Sequence, residues 1–217
     1  MGLGTRAVGK WLTIIFGTGM LLARHAEAQP TNSLADEHSS LWAEGVGSGF
    51  RKGTMELDVG AGAGLGLEVL TGVGEHHWVI GIVDYGWIFS DVVGKGHWYR
   101  GNWELLADLF GGYQFSPEGA YFVGLSPHIR YNFATGSRFI PFIDVGAGAT
   151  ATDIREPDLS TTFEFNLQGG GGLHYFLRDD LALTFQWRFI HFSNAGIKYP
   201  NTGVNNSTFL LGLSWFW

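Results

Sequence analysis

Apolar residues recur at every second position through long stretches of this chain. In WYRGNWELLADLFGGY, residues 98–113, Tyr99, Trp103, Leu105, Ala107, Leu109 and Tyr113 share the odd parity, while Arg100, Asn102, Glu104 and Asp108 share the even one. Residues 120–133 repeat this, with Tyr121, Val123, Leu125, Ile129, Tyr131 and Phe133 against Ser126, His128, Arg130 and Asn132. Residues 161–177 set Phe163, Phe165, Leu167, Leu173 and Tyr175 against Glu164, Asn166, Gln168 and His174. Strict alternation marks strands with one apolar and one polar face. Eight segments qualify: 55–70, 76–92, 98–113, 120–133, 138–151, 161–177, 180–193 and 205–217.

A soluble sandwich alternates too, but these strands are long, about 14 residues against a usual 5–6. Their apolar faces carry Tyr and Trp near the ends, as an interfacial girdle does, and the polar faces mix both charge signs. The prediction is all-β: an eight-stranded antiparallel transmembrane barrel of the outer-membrane type, its interior just filled by side chains. Gly94–Gly96, Ala134–Ser137 and Arg178–Asp180 are expected as short periplasmic turns, and the longer 152–160 and 194–204 as external loops. The aromatic end, with Phe209, Leu211, Leu213, Trp215 and Trp217 on one parity, resembles the assembly signal of such barrels.

Composition agrees. Aromatics make up 15% of the chain and Gly numbers 34, while charged residues reach only 15%, below the roughly 25% of soluble globules. With no cysteine, disulfides and thiolate chemistry are excluded. Residues 1–28 read as a signal peptide: Arg6 and Lys10, the apolar run 11–23, then Ala26-Glu27-Ala28 as cleavage site. The mature domain is then 29–217, with 29–52 a partly mobile lead and 41–50 (LWAEGVGSGF) competing with the first strand. Cleavage leaves 10 basic and 19 acidic residues, net −9, which argues against nucleic-acid binding. His128 and His174 share the inward parity with Arg, Glu and Asn. A zinc site needs three or four convergent ligands, so hydrogen-bonded packing is expected there, and no metal or cofactor. Glu104, Asp108, Arg130, Glu164 and Arg188 read as a lumen salt-bridge network.

One apolar face ends in polar groups. Leu181, Leu183, Phe185, Trp187 and Phe189 point to lipid, and the next two residues of that parity are His191 and Ser193. Residues two apart on a strand lie about 6.6–6.8 Å apart, so His191 can lean to the Ser193 hydroxyl, the contact that activates a weak nucleophile. Asn205, across the last hairpin, is placed to orient the imidazole. Loop 194–204 offers oxyanion donors: the Asn194 and Asn201 amides and the backbone N–H near Gly196.

The stretch HFSNAGIKYPNTGVN, with YNFATGSRFIPFIDVGAG and DLSTTFEFNLQ, resembles the lipid A 3-O-deacylases, the PagL-like acyloxyacyl hydrolase family. The resemblance implies an outer-membrane serine esterase that removes the 3-linked acyl chain of lipid A, with lipopolysaccharide and the outer membrane as its partners and a monomer or weak homodimer as its state. It makes Ser193 the nucleophile and His191 the general base, and places the oxyanion hole at Asn201 and the Gly196 N–H, with Asn194 following the nucleophile. The acidic member falls on Asn205, where the best-known members of the family have Glu. An Asn carbonyl facing the ring fixes the productive tautomer; an Asn NH₂ facing it fixes the wrong one. Asp153, Glu156 and Asp158 are loop carboxylates that offer a substitute. The competing functions are a non-catalytic barrel with a structural or adhesive role, and a soluble lipid-binding barrel, which requires an apolar interior.

Overall fold

In the computed structural model, which describes residues 41–217 apart from 71 and 73, the alternating segments form eight strands. They are β1 (Met55–Gly66), β2 (His77–Ile88), β3 (Gly101–Ser116), β4 (Ala120–Phe133), β5 (Phe139–Thr152), β6 (Phe163–Phe176), β7 (Leu181–Ser193) and β8 (Val204–Phe216). Each pairs antiparallel with the next, and β1 pairs with β8 to close the barrel. Closure leaves no unpaired strand edge, a condition of spanning hydrocarbon. The signal segment and residues 29–40 lie outside the described residues.

Parity sets the two faces. Val59, Val83, Leu109, Leu125, Ile143, Leu167, Phe185 and Leu211 point outward and are exposed. Inside, Arg130 Nη1 meets Glu56 at 3.0 Å and its Nε meets Asp144 at 3.3 Å. Arg188 reaches Asp84 and Asp108, both at 2.8 Å. The expected lumen network is present, except that Glu164 accepts from Thr161 Oγ1 at 2.6 Å instead of joining an arginine. His174 pairs with the Thr184 hydroxyl at 2.8 Å.

Two apolar layers bracket this charged band. At the end carrying His191 and Ser193, Trp78, Phe110, Phe122, Leu159, Phe192 and Val204 pack together inside the barrel. At the opposite end, Trp42 and Phe50 stack at 4.7 Å between ring centres, and Phe50 stacks on Phe216 at 5.0 Å. Residues 41–50 therefore form no barrel strand. They make a plug, bridged Trp42 to Phe50, that fills the barrel mouth. Seen as a parity pattern, these even-numbered aromatics are only interruptions of a polar face. Physically they keep water from buried charges that attract one another strongly only when shielded.

The boundaries depart most from expectation at the end of β1 and between β2 and β3, while β3 runs on to Ser116 and β6 starts at Phe163. β1 ends at Gly66, because residues 67–70 turn away, with Leu70 at φ 57°. The β2–β3 connector runs from 89 to 100, longer than a Gly94–Gly96 turn, since the ladder between these strands starts at Ile88 and Glu104.

Candidate active site

His191 and Ser193 are the last outward residues of β7, and Asn205 is the register partner of His191 on β8. The ladder brings the histidine and asparagine side by side, and the strand period turns His191 and Ser193 to the same face. His191 Nε2 lies 3.1 Å from Ser193 Oγ, and His191 Nδ1 lies 2.7 Å from Asn205 Oδ1. The three predicted residues form one hydrogen-bonded row on the outside of the barrel. His191 and Ser193 are half-buried, while Asn205 is fully buried.

The orientation of the Asn205 amide decides the tautomer. Its Nδ2 donates to the Val69 carbonyl at 2.8 Å, and the Leu67 N–H holds the strand beside it by donating to the Asn205 backbone carbonyl at 2.9 Å. A carbonyl oxygen only accepts. Turning the amide over would set Oδ1 against Val69 O, two acceptors with no proton between them. The side-chain oxygen therefore faces the ring, His191 carries its proton on Nδ1, and the Nε2 lone pair is left for the Ser193 hydroxyl. Asp153, Glu156 and Asp158 do not reach the ring: Asp153 accepts from the Tyr121 N–H and Asp158 from Thr202.

The three expected oxyanion donors separate. Asn194 is buried and organises the loop: its N–H donates to Asn201 Oδ1 at 3.2 Å, and its Nδ2 to the Lys198 carbonyl at 2.9 Å and Ser160 Oγ at 3.3 Å. The Gly196 N–H is engaged with Asn194 Oδ1 at 3.0 Å. Asn194 and the Gly196 N–H are thus engaged within the loop, since a short polar side chain in a loop bonds its own backbone two residues on. Asn201 differs. Its oxygen is held by the Asn194 N–H, and its NH₂ has no hydrogen-bond partner among the described residues.

Sequence reasoning missed two participants. Val69 acts through a backbone carbonyl, which leaves no mark in a sequence. Gly203, readable only as loop-shaping, has φ +80°, and a Cβ there would stand 2.9 Å from His191 Cε1. Below the polar row, Trp187 and Phe209 are paired across β7–β8, and Trp187 Nε1 donates to Ser207 Oγ at 2.8 Å. Ser207 is the only polar outward residue of β8 between Asn205 and Trp215 and is satisfied by that bond, so the wall under His191 stays apolar.

An eight-stranded barrel of the outer-membrane type with a serine–histidine–asparagine row on its outer wall defines a narrow class. The lipid A 3-O-deacylase (PagL) family matches residues 83–214, and the chain belongs to that family. It is 30% identical over 120 residues to the lipid A deacylase PagL of Pseudomonas aeruginosa, covering 52% of this chain and 66% of that protein. It is 32% identical over 120 residues to the lipid A deacylase PagL of Bordetella bronchiseptica, covering 50% and 63%. The matched part thus spans just under two thirds of each relative. The crystal structure of the outer membrane enzyme PagL superposes with a TM-score of 0.53 at 22% identity, covering 72% of this chain and 97% of that one. Neisserial surface protein A superposes with 0.55 at 14% identity, covering 76% and 99%. These two likenesses concern the fold.

Proposed function

We propose that this protein is an outer-membrane serine esterase that removes the 3-linked acyl chain of lipid A. The observation that carries the reading is the row Asn205–His191–Ser193, at 2.7 and 3.1 Å, facing outward above an apolar wall. A hydroxyl and its base on the lipid-facing side suit an ester whose chains lie in the bilayer. The acyl chain rests along Trp187, Phe209 and Leu211, which are exposed, with the ester carbonyl beside Ser193.

Ser193 Oγ attacks that carbonyl as His191 Nε2 takes its proton. The charge on the former carbonyl oxygen is met by the unspent NH₂ of Asn201. Collapse expels the sugar oxygen, which takes the proton back from His191, and leaves an acyl-Ser193 ester. Water, deprotonated by His191, then releases the fatty acid and restores Ser193. Asn205 holds the ring in the productive tautomer throughout. As a neutral group it gives the imidazolium less support than the carboxylate it replaces, which predicts a slow enzyme rather than an inert barrel.

The charged band inside the barrel disfavours the alternative of a soluble carrier with an apolar interior. Mass spectrometry of lipid A from cells producing the wild-type chain or Ser193→Ala tests the proposal. The wild type should yield lipid A lacking one hydroxyacyl chain, and Ser193→Ala should not. Identical spectra from the two would rule the esterase out.

A further inference from the structure

The carboxylate missing from the His191 ring stands one step behind it. Asp158 lies in the β5–β6 connector, yet it is buried. Its Oδ1 accepts from Thr202 Oγ1 at 2.9 Å, and its backbone carbonyl accepts from the Gly203 N–H at 3.2 Å. Its Oδ2 lies 3.3 Å from His76 Nε2, in the β1–β2 connector, an ion pair when the imidazole carries a proton on both nitrogens. His76 in turn is anchored to the barrel. Its Nδ1 pairs with Gln114 Oε1 of β3 at 2.7 Å, and its carbonyl accepts from Asn206 Nδ2 of β8 at 2.6 Å. Gln114 Nε2 donates to the Glu118 carbonyl at 3.1 Å, which keeps Oε1 toward His76.

Asp158 thus ties the loop that follows the nucleophile to the rim of the barrel. The loop residue it holds is Gly203, the one packed on the edge of His191. The same connector that bears His76 bears Val69, whose carbonyl pins Asn205. Both supports of the imidazole, one against its Cε1 edge and one behind Asn205, therefore meet at the His76–Asp158 pair.

We propose that Asp158 is a positioning residue of the active site: with His76 and Thr202 it forms a latch across three connectors that holds Gly203 against His191 and Val69 against Asn205. The latch lets a neutral Asn serve as orienting group, because the ring is confined from two sides rather than drawn by charge. This rests on the esterase reading for its effect on turnover, but not for its effect on the ring.

The test uses the full barrel in detergent micelles, with ¹⁵N-labelled histidine, and three variants: Asp158→Ala, Thr202→Val and Thr202→Ser. Wild type and Thr202→Ser should show His191 with its proton on Nδ1 alone. Asp158→Ala and Thr202→Val should show both tautomers, and kcat on lipid A should fall about tenfold with KM within about twofold, as expected for a misplaced catalytic group rather than a lost substrate contact. Thr202→Val leaves the His76–Asp158 pair intact and supplies the reading if Asp158→Ala does not assemble. A His191 spectrum in folded Asp158→Ala or Thr202→Val identical to wild type overturns the latch. Should Ser193→Ala hydrolyse lipid A as fast as wild type, the esterase reading falls, and the ring spectrum still decides the latch.

Discussion

Asn205 presents its side-chain oxygen to His191 Nδ1 at 2.7 Å because its nitrogen is held 2.8 Å from the Val69 carbonyl. The interaction that selects the histidine tautomer is therefore made on the far side of the asparagine. Asn205→Ala removes it and frees the ring. The expected loss in kcat is about 10²–10⁴, the range for a misdirected or lost general base, measured by acyl release from lipid A with the purified barrel.

Asn205→Asp separates charge from orientation. A carboxylate supports the imidazolium, but its second oxygen then confronts Val69 O with no proton between them. Turnover should rise while stability falls by about 1–3 kcal/mol, the cost of a buried unsatisfied acceptor. Initial rates and the urea midpoint in micelles report the two effects separately. A fall in both would show that charge is not what the site lacks.

Asn201→Ala removes the unspent NH₂ assigned to the oxyanion. By analogy with other oxyanion-hole donors, kcat should fall about 10²–10³-fold. KM should change little, since the developing charge exists only in the transition state. Steady-state kinetics over a range of lipid A contents check this.

Gly203→Ala forces a Cβ into a backbone at φ +80° and to 2.9 Å from His191 Cε1. The strain of a left-handed alanine costs about 1–2 kcal/mol. The contact displaces the ring, so activity should drop more than stability. Thermal unfolding beside the acyl-release assay distinguishes the two.

Arg188→Met leaves Asp84 and Asp108 buried without the guanidinium that each contacts at 2.8 Å. Removing one partner of a buried pair costs about 3–5 kcal/mol. The variant should unfold at markedly lower urea concentration, while the folded fraction keeps wild-type kcat, because the band lies inside the barrel and the reacting groups outside.

The barrel was legible because a period of two survives in the sequence whatever the tertiary context. Tyr121 to Ile129 on β4 needs no neighbour to declare its face. The row His191, Ser193, Asn205 was legible for the same reason, parity along β7 and pairing across one hairpin. What escaped depends on contacts distant in sequence. Val69 and Asn205 are 136 residues apart and meet through a main-chain atom. The bond from the Gly196 N–H to Asn194 was not legible, because nothing in NAGIKYPNTG shows that Asn194 folds back on it. Trp42 and Phe50 read as a stray strand because a plug has no periodicity of its own.

The serine opens outward from the cylinder, and that changes what concentration means for such a catalyst. The proposed substrate need not enter the barrel, so the encounter is not one in three dimensions. On the proposed function, a substrate embedded in the leaflet reaches Ser193 by sliding sideways, so the rate follows its density per unit area and not its amount per litre. Turnover should scale with the mole fraction of lipid A in a vesicle and stay constant when vesicles of fixed composition are supplied in excess of the barrel.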